Sequence, residues 1–128
     1  MTLLKLMRLP IFGWVAIMIV APSPARGHAF PIRSEPRVGR TISASPAKVT
    51  IWFDGELEAA FSAIAIYNAG KQRVDKGDGR VNSADATVLE VEIPPLPPGG
   101  YRVYWSVVAK DTHRTEGDFS FTVEGKSP

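Results

Sequence analysis

Eleven prolines and eleven glycines divide this chain of 128 residues into short runs. Both residue types interrupt helices. The runs between them alternate apolar with polar side chains, or are rich in β-branched and aromatic residues, as strands are. Ala29 to Ser34, Lys48 to Phe53, Phe61 to Tyr67, Gln72 to Lys76, Thr87 to Ile93, Tyr101 to Ala109 and Asp118 to Val123 read as seven strands. Val49, Ile51 and Phe53 share one face of the second run, and the alternation in Thr87 to Ile93 turns Glu90 and Glu92 to solvent. Gly70-Lys71 and Gly77-Asp78-Gly79 read as turns, and Pro94 to Gly100 as a rigid loop. Short strands at about ten-residue spacing predict an all-β domain, an antiparallel β-sandwich or small barrel. Trp52, Trp105, Phe61, Tyr101 and Phe121 are expected in its core.

Residues 1–27 fall outside that pattern. Lys5 and Arg8 precede an apolar run from Ile11 to Ala21, which Pro22, Ser23 and Pro24 end. The run is too short for a membrane span, which needs about 20 residues. Ala25-Arg26-Gly27 sets small residues at positions −3 and −1 of a cleavage site. Residues 1–27 therefore read as a secretory signal peptide and residues 28–128 as the exported domain. Cleavage removes Lys5, Arg8 and Arg26 but none of the 13 acidic residues, so the formal charge falls from +2 to −1. No basic patch interleaved with aromatics remains to bind nucleic acid. Cysteine is absent, which removes disulfides, thiolate metal sites and cysteine nucleophiles. All three methionines lie in residues 1–27, so the exported domain holds no sulfur and rests on its core alone.

Two histidines, His28 and His113, are the whole imidazole supply. After cleavage His28 is the amino-terminal residue. Its α-amine, with an ordinary pKa of about 7.7–8.0, and its ring nitrogen Nδ1 can then close a six-membered chelate on one metal ion. Asp111-Thr112-His113 is the second feature. In an extended stretch residues two apart point to the same side, so Asp111 and His113 would offer a carboxylate and an imidazole to one point. An amine, two imidazoles and a carboxylate suit Cu(II) or Ni(II), and zinc also accepts such ligands. Asp75, Asp78 and Asp85 read as loop residues. Ser34 and Ser106 have no free histidine base, and no paired carboxylates are positioned for hydrolysis.

These residues resemble the CopC-type periplasmic copper-resistance proteins. The resemblance runs from His28 to about Val123. It rests on His28, on Ser34-Glu35-Pro36 as the family's S-x-P, and on Ser45-Pro46-Ala47. It continues through Val49 to Phe53 with the acidic stretch behind it, and through Leu96 to Val103 as L-x-x-G-x-Y-x-V. Trp105 to Val108 then leads into Asp111-Thr112-His113, and Gly117 and Phe119-Ser120-Phe121 close it. The resemblance implies a seven-stranded Greek-key sandwich or barrel, of Ig-like or cupredoxin-like kind. It implies one Cu(II) per chain, held by His28, Asp111 and His113. Lacking methionine after residue 27, the chain is similar to members that bind Cu(II) only. The family often has an acid two places after the strand phenylalanine. Gly55 stands there instead, flanked by Asp54 and Glu56, either of which could orient a ligating imidazole.

The function implied is a non-catalytic periplasmic Cu(II) carrier or buffer for copper resistance and homeostasis. It would act as a monomer and exchange its ion with an inner-membrane transporter of the CopD type. The alternative is a copper-dependent oxidase whose two-histidine site resembles that of lytic polysaccharide monooxygenases. A carboxylate two residues from the second histidine argues against it, because it fills space that oxygen needs. So does the shortness of residues 28–128, which leaves little room for a flat carbohydrate-binding face.

Overall fold

The structure, a computed structural model, describes residues 28–125. The segment read as a signal peptide lies outside the described residues. Among those described, no helix is long and apolar enough to cross a membrane. Eight strands form among the described residues: β1 Pro31–Glu35, β2 Thr41–Ile42, β3 Lys48–Phe53, β4 Ala63–Asn68, β5 Arg80–Val81, β6 Val88–Glu92, β7 Gly99–Val108 and β8 Arg114–Val123. They make two four-stranded sheets, in the orders β1-β3-β6-β5 and β2-β8-β7-β4. The sheets pack as a Greek-key sandwich and do not close into a barrel.

The core follows from the alternation. Val49, Ile51 and Phe53 of β3 and Leu89 and Val91 of β6 are buried against Ile64, Ile66, Val103 and Phe121 of the other sheet. Tyr101 and Phe121 stack with ring centroids 5.5 Å apart. Trp105 meets Phe53 edge-on at 5.3 Å. Its indole lies over Gly117, where a Cβ atom would come within 2.7 Å of the ring, so only glycine fits opposite it.

Several expectations are corrected. The strands number eight, because β2 and β5 are two-residue pairings that carry no periodicity, and β2 joins β8 in parallel. Gln72 to Lys76 forms no strand. Instead its loop seals the free edge of β4: Val74 N–H donates to Ile66 O at 2.9 Å, and Ile66 N–H donates to the Asp75 carboxylate at 2.8 Å. The final strand starts at Arg114, four residues earlier than expected. Glu90 is only 5% exposed, although it points away from the core. Lys48 of β3 and Arg80 of β5, each 3.4 Å away, and Asn82 just beyond β5 at 3.1 Å cover it. Phe61 is 62% exposed, since it ends the 3-10 turn Ala59–Phe61 before β4 begins. Trp52 is half-buried on the outer face, with the Arg33 guanidinium 4.0 Å above its ring.

Candidate metal centre

His28 lies just ahead of β1, at the edge of one sheet, and His113 ends the loop between β7 and β8 of the other. The fold brings their rings to a centroid distance of 4.6 Å, tilted by 52°. The Phe30 and His28 ring centroids are 6.0 Å apart.

The His113 loop is a tight hairpin. Ala109 N–H donates to His113 O at 3.0 Å, and Thr112 N–H donates to Ala109 O at 2.9 Å. Lys110, Asp111 and Thr112 are thus a three-residue loop, whose last position normally takes a left-handed residue such as glycine. Thr112 fills it at φ +75°, a conformation that costs an L-residue about 1–2 kcal/mol. Asp111 and His113 therefore do not meet by extension, as the two-residue spacing suggested. The left-handed turn at Thr112 folds one back onto the other.

The result is a two-point contact. Asp111 Oδ1 accepts the backbone N–H of His113 at 3.1 Å, and Oδ2 lies 2.7 Å from His113 Nδ1. A carboxylate only accepts, so Nδ1 carries the proton in this contact and Nε2 is left with a lone pair, the form in which imidazole binds metals. Partial burial pushes the Asp111 carboxyl up. Hydrogen bonds from the His113 backbone and ring outweigh that and hold it below the ordinary carboxylate range.

The segment behind β3 supports both halves of this arrangement. Phe30 N–H donates to Asp54 Oδ1 at 2.8 Å, and Asp54 N–H donates to Phe30 O at 3.0 Å. Gly55 backs onto the buried Ala29. From the opposite sheet the Thr115 hydroxyl donates to Ala29 O at 2.7 Å. On the hairpin side, Lys110 N–H donates to Glu56 O at 3.2 Å and Glu58 N–H to Val108 O at 2.7 Å, while Leu57 pairs with Ala109. Sequence leaves Asp54 and Glu56 as candidates for orienting an imidazole. In the structure both hold backbone, and the carboxylate on an imidazole is Asp111. Thr115 is invisible to sequence reasoning, because a threonine in a strand is ordinary. His28, Asp111 and His113 gather at one end of the sandwich. Among the described residues, however, no three histidine, aspartate or glutamate side chains converge as a closed ligand set.

Residues 32–124 match the CopC domain. The chain belongs to the CopC family. That family consists of copper-binding proteins rather than enzymes. Similar relatives include the copper transport protein CutJ of Bacillus subtilis, 26% identical over 86% of this chain. The chain spans only 21% of the length of CutJ. Copper resistance protein C of Xanthomonas campestris pv. juglandis is 31% identical over 84% of this chain and 92% of its own length. Among solved structures, CopC from Methylosinus trichosporium OB3b superposes with a TM-score of 0.73 at 30% identity, covering 79% of this chain and 98% of that one. The match is to copper-transport and copper-resistance proteins, which sets the oxidase alternative aside.

Proposed function

We propose that this CopC-family protein is exported to the periplasm, is cleaved after Gly27, and there binds one Cu(II) at a site built from His28, Asp111 and His113. Cleavage converts the His28 nitrogen from an amide into an amine. The amine and ring then chelate the ion together, and His113 adds a second imidazole. Asp111 enters the site as the carboxylate already seated on His113, fixing its tautomer and offsetting the charge of the dication. Nitrogen and oxygen donors without sulfur favour Cu(II) over Cu(I). The protein carries or buffers this ion for copper resistance and homeostasis, as a monomer, and exchanges it with an inner-membrane transporter of the CopD type. The observation that carries the reading is the 4.6 Å approach of the chain's two histidine rings, drawn from opposite sheets.

The test is competitive Cu(II) titration of the processed protein beside a form that keeps one residue before His28. The processed form is expected to saturate at one equivalent, with nitrogen hyperfine coupling in its electron paramagnetic resonance spectrum. The extended form keeps every side chain but lacks the amine, and its affinity is expected to fall by roughly a hundredfold or more. Equal affinities would overturn the amino-terminal chelate.

A further inference from the structure

The two histidines sit on different sheets, so their separation depends on whatever ties the sheets together at this end. His28 precedes Ala29, which is fully buried. On one side Phe30 is paired with Asp54 of its own sheet. On the other, the Thr115 hydroxyl donates to Ala29 O at 2.7 Å. Thr115 is the second residue of β8, two places beyond His113. One hydrogen bond thus joins the peptide beside the first histidine to the strand that leaves the second.

We infer that Thr115 is a positioning residue of the copper site: its bond across the sheets sets His28 against His113 before any ion arrives. The inference rests on the reading of the two histidines as ligands. Metal affinity depends on how much rearrangement the ligands need, and a site whose donors are held near each other loses less freedom on loading. A buried carbonyl without its donor is also destabilised, because water does not reach Ala29 O to replace the hydroxyl. Without Thr115 the chain ahead of Phe30 is held from one side only. The β7–β8 hairpin, pinned separately by Glu56 and Glu58, is not disturbed. The damage therefore falls on His28 and not on His113.

The experiment is competitive Cu(II) titration of the processed protein, of Thr115→Val and Thr115→Ser, and of His28→Ala with and without Thr115→Val. Thr115→Val removes the donor and keeps the shape. It is expected to weaken Cu(II) binding by about three- to tenfold, the effect of one hydrogen bond. Thr115→Ser keeps the hydroxyl and is expected to stay within about twofold of the parent. In the His28→Ala background only the terminal amine is left to position, so Thr115→Val is expected to cost less than about twofold. Thr115→Ala carries the same expectations and decides the matter if the valine variant does not fold. Full affinity in both hydroxyl-free variants, or an equal loss with and without His28, overturns the inference while leaving the copper site standing. Parent affinity in His28→Ala overturns the ligand reading, and the inference with it.

Discussion

Asp111→Asn is the substitution that most sharply separates a carboxylate acting on the imidazole from one that merely lies nearby. Asparagine keeps the size of aspartate and one acceptor oxygen. In the parent, two carboxylate oxygens divide the work: Oδ1 takes the His113 N–H at 3.1 Å and Oδ2 faces Nδ1 at 2.7 Å. In the variant the oxygen can keep the backbone contact, and the amide NH2 then faces Nδ1 as a donor. Nδ1 must accept, the proton moves to Nε2, and the nitrogen offered to the metal loses its lone pair. Carboxylate partners of metal-ligating histidines typically contribute about 10–100-fold in metal affinity. We expect a loss in that range, at least as large as for Asp111→Ala, which leaves the ring free to choose its tautomer. The contact lies at the surface, with the His113 side chain 63% exposed, so the unfolding midpoint should barely move. Competitive Cu(II) titration gives the affinities, and nitrogen-15 shifts of His113 in the copper-free protein read the tautomer directly. A parent His113 protonated mainly on Nε2, or an asparagine variant with parent affinity, would refute the reasoning.

Gly117→Ala places a methyl 2.7 Å from the Trp105 ring, which already packs edge-on against Phe53, and should destabilise the fold by about 1–3 kcal/mol, read by urea unfolding followed through tryptophan fluorescence. Burial pushes the Asp75 carboxyl up, but the Arg73 guanidinium and the N–H groups of Ile66 and Gly77 outweigh it and hold it below the ordinary range. A depressed carboxyl contributes stability above its unfolded value, near pH 4, and loses it as pH falls through the folded value. The gap between parent and Asp75→Asn unfolding midpoints should therefore close below about pH 4. Reduction of bound copper should release it to a Cu(I) chelator, since residues 28–128 offer no sulfur; retention against a strong chelator would count against the site proposed.

The sequence by itself determined the class of fold and the inventory of ligands. Proline and glycine spacing excludes long helices, and the alternation in β3 and β6 decides which side chains enter the core, because strand geometry allows only two faces. A chain with two histidines and no sulfur beyond residue 27 also limits any metal chemistry to His28, His113 and nearby oxygens. Tertiary structure decided the rest, wherever the outcome depends on residues distant in the chain. The two-residue strands β2 and β5 exist only because β8 and β6 lie beside them. Glu90 is covered because Lys48 and Arg80 reach it from other strands, which alternation within β6 cannot foresee. Asp111 meets His113 through a left-handed threonine, a conformation that sequence assigns to glycine. Thr115 and Asp54 hold the peptide beside His28 across 86 and 24 residues of chain, and contacts at such separations leave no local pattern to read.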